Sequence, residues 1–200
     1  MKNKTGKLII LSAPSGAGKT TICKNLLSLN DSWKYSISAT TRPMRENEID
    51  GKDYHFLSKE KFEHKEKFGE FIECEWVHGN RYGTPVQPLE DALSNGDAFL
   101  LDVDVKGAMN LIEEFEEDCL SIFIEPPGMN IQEKLESLNE RLLKRGGSNE
   151  TLIKQRLKRF ELELSFKEKI KLVLPSSLSF INEDLKETTN EIDKKIKENL

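Results

Sequence analysis

Cysteine is scarce in this sequence. Cys23, Cys74 and Cys119 stand far apart, odd in number, with no Cys-x-x-Cys pair. That argues against a zinc site, and a sparse odd set fits a reducing compartment better than a disulfide framework. Long apolar runs are missing too. No stretch approaches the ~18 residues of a membrane helix. Met1-Lys2-Asn3-Lys4 leads only into a short apolar run, not a secretion signal. The expected setting is the cytoplasm, with no membrane partner. Nor is there an excess of basic charge: 30 Lys and Arg against 35 Asp and Glu leave a net charge of −5. A general nucleic-acid binder needs a basic face, so nucleic acid is not expected as a partner.

Charge of both signs is plentiful, at 32% of residues against a hydrophobic 36%. Two hundred residues with this balance suit one compact domain with a modest core and a solvated surface. No internal repeat or low-complexity tract breaks it up. Leu8-Ile9-Ile10-Leu11 reads as a buried strand, and Ile22, Leu26 and Leu29 give a helical period after it. Residues 34–85 change character: short strand-like pieces, Tyr35–Ser38 and Tyr54–Leu57, flank a helix at Lys59–Lys67. A helix over 88–96 stops at Asn95-Gly96. Ala98–Asp104 is a second buried strand ending in carboxylates. Leu120–Ile124 is a third, bounded by Pro126-Pro127-Gly128. Ile131 to Lys171 is helical and charged, interrupted at Gly146-Gly147-Ser148, and Glu183–Leu200 is a last amphipathic helix. Strands alternating with helices predict an α/β fold with a parallel sheet flanked by helices.

Between the first strand and its helix lies Ala13-Pro14-Ser15-Gly16-Ala17-Gly18-Lys19-Thr20-Thr21. A glycine-rich turn from a strand into a helix is a phosphate cradle. Its N–H groups converge on oxyanions, and the helix adds its positive end. Lys19 would reach the β- and γ-phosphates, and the Thr20 hydroxyl would bind Mg²⁺. Ala13 stands where the common pattern has glycine, and the competing reading is a surface turn. The strand before and the helix after favour the cradle, and so chemistry on a nucleoside triphosphate with Mg²⁺.

A second polar set lies within 38–84. Arg42 and Arg45 offer planar donor forks for an oxyanion. Tyr54 and Tyr82 offer hydroxyls, and Glu73 is an acceptor for an N–H edge of a base. The competing reading pairs Arg42 and Arg45 with Glu46 and Glu48 on the surface.

The ordered motifs Ser38-x-Thr40-Thr41-Arg42-x-x-Arg45, Gly51-Lys52-Asp53-Tyr54, Phe71-Ile72-Glu73, Gly79-Asn80-x-Tyr82-Gly83-Thr84 and Asp102-x-Asp104-x-x-Gly107 resemble the guanylate kinase family, over nearly the whole chain. That resemblance implies a P-loop NTPase-type core (1–35, 88–128 and 161–200), an inserted GMP-binding subdomain (36–87) and a helical lid (129–160). It implies transfer of the ATP γ-phosphate to GMP or dGMP, by a monomer or homodimer. Ser38, Arg42, Arg45, Tyr54 and Tyr82 would surround the GMP phosphate, and Glu73, Thr84 and Asp104 would read guanine. Guanine offers N1–H and a 2-amino group to such acceptors, and adenine leaves them unpaired. Asp102, on the same strand face as Asp104, would lie nearer Mg²⁺ and the phosphates, or else would orient loop N–H groups. With Lys19 and Arg42, the lid residues Arg141, Arg145 and Arg156 would neutralise the transferred phosphoryl group; the alternative is a solvated helix face.

This chain departs from the family at Gly147, where Thr is usual, and at Lys106, where Gln is usual. The family's final Val-Asn-Asp-Asp aligns with Ile181-Asn182-Glu183-Asp184, or, shifted, puts Ser176 where the Asn should be. Guanylate-kinase-like domains also serve as protein-binding modules. There the phosphate loop is eroded, whereas Gly16, Gly18, Lys19 and Thr20 stand here. A kinase for another nucleotide is the third reading, against which Glu73 and Asp104 argue.

Overall fold

Leu8, Ile9, Ile10 and Leu11 are each fully buried. A strand covered on both faces has no polar side to show, which is why this run does not alternate. The computed structural model describes residues 6–77, 79–115, 118–145 and 150–200, without the side chains of 145 and 150–156. Along the chain the elements are β1 (Lys7–Ser12), α1 (Lys19–Leu29), β2 (Lys34–Tyr35), β3 (Ala39–Thr40), β4 (His55–Phe56) and α2 (Lys59–Lys67). Then come β5 (Phe71–Val77), β6 (Asn80–Pro85), α3 (Val86–Asn95), β7 (Ala98–Asp102), α4 (Val105–Phe115) and β8 (Cys119–Glu125). The last are α5 (Ile131–Arg145), α6 (Glu150–Val173), β9 (Leu178–Ile181) and α7 (Leu185–Asn199).

Two compact units result: Leu8–Asp31 with Leu101–Leu200, and Ser32–Leu100 with Gly6 and Lys7. In the first, β1 runs parallel to β8 from Leu8 opposite Cys119 to Ser12 opposite Phe123. β8, buried along all seven residues, runs parallel to β9. In the second, β2 runs parallel to β7. The sheet order is β2-β7-β1-β8-β9, the parallel, helix-flanked α/β arrangement expected. The second unit also holds a four-stranded sheet, β4-β3-β6-β5. There β5 and β6 are antiparallel, with Glu73 opposite Thr84 and Trp76 opposite Arg81.

Three expectations are corrected. The strand over Tyr35–Ser38 is instead the end of β2 and a crossing at Ser36–Ser38 that leads into β3. Ser36 still donates its N–H to Leu100 O at 2.9 Å, while His55 already donates to Ser38 O at 2.9 Å, so the chain changes pairing partner here. The strand over Ala98–Asp104 stops at Asp102. Asp104 caps α4, its Oδ1 accepting from the N–H groups of Lys106 at 3.1 Å and Gly107 at 2.8 Å. A carboxylate that caps a helix cannot also continue a strand, so Asp102 and Asp104 do not share a strand face. The third correction is an omission: residues 71–85 form the β5–β6 hairpin.

Candidate active site

The loop between β1 and α1 is built from backbone. Gly16 and Gly18 have φ of 99° and 101°, a region that side chains with a Cβ rarely enter. α1 starts at Lys19 with neither a side-chain cap nor an acidic residue in its first turn. The N–H groups and positive end of that turn are thus presented to an anion. Three neighbours brace the loop. The Asn182 Nδ2 donates to Ala17 O at 2.8 Å. Arg141 donates to the same carbonyl at 3.2 Å and to Asn182 O at 2.8 Å. Glu163 accepts the Ser15 N–H at 3.2 Å. Ala13 is buried, and the two glycines the loop retains are the ones with left-handed φ. Thr20 and Thr21 are exposed on the first turn of α1. Lys19 pairs with Asp102 and donates to Val103 O at 2.6 Å, so Asp102 belongs to the phosphate-loop constellation.

Asn182 follows β9 directly and is buried, whereas Ser176 lies in an exposed turn. The loop contact therefore belongs to Asn182 and not to the shifted alternative. Arg141 is partly buried, and burial lowers its pKa. Arg145 ends α5 and Arg156 lies within α6, but both side chains fall outside the described residues, as does Gly147.

The second constellation is built from side chains. Arg42 meets Glu48 with two parallel bonds, Nη1 to Oε2 and Nη2 to Oε1, each 2.8 Å. The ion-pair reading was thus half right: Glu48, not Glu46, is the partner. Glu48 also accepts the Arg45 N–H at 2.8 Å, while the Arg45 guanidinium stays 3.8 Å away and half exposed. The Arg42 guanidinium lies over the rings of Tyr54 at 5.3 Å and Phe56 at 5.5 Å. Tyr54 meets Tyr82 edge-on at 5.9 Å. Burial pulls the Arg42 pKa down, but hydrogen bonds with Glu48 and Tyr82 outweigh it and raise it. The guanidinium is therefore charged at any working pH. Ser38 sits half-buried just before β3. On the paired strands, the Thr84 hydroxyl donates to Glu73 Oε1 at 2.6 Å. Arg42, Tyr54 and Tyr82 thus form one cluster, and Glu73 and Thr84 a second. Phe56 carries no sign in the sequence as a site residue, and Glu48 enters there only as an ion-pair partner for Arg42 and Arg45.

A family model described as guanylate kinase matches residues 5–199. The guanylate kinase of Chlorobium luteolum is 47% identical over 171 residues, 86% of this chain and 84% of that protein. That of Chlorobaculum tepidum is 42% identical over 193 residues, 96% of this chain and 93% of that protein. The crystal structure of guanylate kinase from Anaplasma phagocytophilum superposes with a TM-score of 0.77 at 34% identity. That match covers 97% of this chain and 86% of the other.

Proposed function

The chain belongs to the guanylate kinase family, whose members phosphorylate GMP using ATP, and we propose that it transfers the γ-phosphoryl group of ATP to GMP or dGMP. The observation that carries the acceptor assignment is the Glu73 carboxylate held by the Thr84 hydroxyl. An acceptor pair of this kind suits the N1–H and 2-amino donors of guanine, which adenine lacks. Arg42, oriented by Glu48 and by the Tyr54 and Phe56 rings, takes the acceptor's phosphate with Tyr54 and Tyr82, while Ser38 and Arg45 border it. Asp104, its Oδ1 engaged in capping α4, is retained as a guanine contact. The acceptor is already an anion, so no general base is needed. The protein's task is positioning and charge neutralisation.

On the donor side, Gly16, Gly18 and the α1 N-terminus cradle the phosphates. Lys19 moves from Asp102 to the β- and γ-oxygens, and Arg141, Arg145 and Arg156 supply positive charge from the lid over 129–160. Mg²⁺ fits the donor set. The Thr20 hydroxyl stands exposed at the first turn of α1 and the Asp102 carboxylate lies beside Lys19. No group of three His, Cys, Asp or Glu side chains placed to hold a metal occurs among the described residues. When bound, Mg²⁺ supplies charge neutralisation at the β- and γ-phosphates. We place the enzyme in the cytoplasm as a monomer or homodimer; Cys23, Cys74 and Cys119 are not joined in a disulfide, which agrees with a reducing compartment.

The test is ADP production by coupled assay with ATP and Mg²⁺, offering GMP, AMP, UMP and CMP separately. Turnover with GMP alone is the expected result. Turnover with another acceptor would remove the roles given to Glu73 and Asp104. No turnover with any, in folded protein, would favour a binding module.

A further inference from the structure

Glu163 is a carboxylate that the reaction above does not use. It projects from α6 with its side chain only 13% exposed. Its Oε2 accepts the Ser15 N–H, in the first half of the phosphate loop. A buried negative charge beside a phosphate-binding loop is unfavourable on two counts. Burial is the largest influence on it and raises its pKa. The Ser15 N–H, Arg159 at 3.8 Å and Lys19 oppose that, and Asp104 adds to it. A carboxylate with only a structural task would be better placed in water.

The loop's other braces fall elsewhere. Asn182 and Arg141 both reach Ala17 O, in its second half. Glu163 fixes the peptide that those two do not. Peptide planes must be fixed before the nucleotide arrives if the N–H groups of the loop are to meet oxyanions without reorganisation.

We propose that Glu163 is a positioning residue for ATP, orienting the first half of the phosphate loop by accepting the Ser15 N–H. The proposal rests on the kinase reading, but ATP binding can be read without any acceptor. What matters is an oxygen at the right reach. Glu163→Gln keeps such an oxygen and loses the charge. Glu163→Asp keeps the charge and is one methylene short. Glu163→Ala loses both.

The experiment is ATP titration by calorimetry on the full chain for the wild type and these three variants. It is joined by KM and kcat for ATP and GMP and by thermal unfolding. Loss of a hydrogen bond to a buried charged group predicts about tenfold weaker ATP binding in Glu163→Ala and Glu163→Asp, with Glu163→Gln within about threefold of wild type. The KM for GMP stays within about twofold in all three. Glu163→Asp matching wild type while Glu163→Gln is as weak as Glu163→Ala would assign the effect to charge and overturn the proposal. Equal rises in both KM values with a lowered Tm would overturn it too. If wild type binds ATP, Glu163→Ala does not, and GMP is never phosphorylated, the function assignment fails and this one stands.

Discussion

Under the proposed function, the phosphate loop and the four-stranded sheet would meet their nucleotides by opposite means. In the loop the chemistry lies in the backbone: two left-handed glycines and a helix start without a side-chain cap. A Cβ added at Gly18 would collide with the Asn182 side-chain amide. In the sheet it lies in side chains, each held by another: Arg42 by Glu48, Glu73 by Thr84. The contrast follows from what each nucleotide must be recognised by. A phosphate donor presents the same oxyanions whatever its base, and peptide N–H groups read oxyanions well. An acceptor chosen by its base must meet groups whose donor and acceptor pattern differs from one base to another, and only side chains vary in that way.

Lys19→Ala tests the loop most severely. If Lys19 supplies positive charge to the transferred phosphoryl group as proposed, turnover should fall about 1,000-fold. Far-UV circular dichroism should stay unchanged. A rate near wild type in the coupled assay would remove the loop from the mechanism. Glu73→Gln tests the sheet. The amide can turn an NH₂ toward guanine donors, so kcat/KM for GMP should fall about 100-fold while the KM for ATP stays within about twofold. Equal losses for both nucleotides would break the division between the two regions.

The same division decides what was legible in the chain. The β1–loop–α1 segment could be read because its signals are local: an apolar run, a glycine turn, a helical period. The stop at Gly96, where φ is 76°, was legible for the same reason. The β5–β6 hairpin was not. Phe71–Val77 is half-buried almost throughout rather than alternating, so neither strand period shows. Its close packing is spatial: a Cβ on Gly83 would lie 2.9 Å from the Phe71 ring. The register that sets Glu73 opposite Thr84 therefore appears only once the strands pair. The fork between Arg42 and Glu48 spans six residues of loop, a spacing with no periodic signature. The apolar run into Asp102 suggests a strand that continues to Asp104, but the Asp104 carboxylate caps α4 instead.

A milder test of the backbone construction is Gly18→Ala. The left-handed φ costs about 1–2 kcal/mol with a Cβ, and the Asn182 amide must move. Since Asn182 also braces Ala17 O, ATP binding should weaken about tenfold with the KM for GMP little changed. Loss of GMP binding alone would show that the loop does not serve ATP.

The smallest expected effect, and the sharpest test of the side-chain construction, is at Glu48. Its pKa is held below the usual carboxylate value, chiefly by the Arg42 hydrogen bond, with burial opposing and the Arg45 N–H assisting. A group lowered in this way contributes stability that is present above its unfolded pKa and lost as pH falls through the folded value, while Arg42 keeps its charge. Glu48→Gln should therefore raise the KM for GMP about threefold at neutral pH. The ratio of variant to wild type should stay constant through the ordinary carboxylate range and approach one only below it, as wild-type Glu48 protonates. Taking the ratio removes the titration of the GMP phosphate itself. A KM for GMP that falls in Glu48→Gln would reverse the assignment: Glu48 would then compete with the phosphate for Arg42, and the fork would be an obstacle to the acceptor rather than its support.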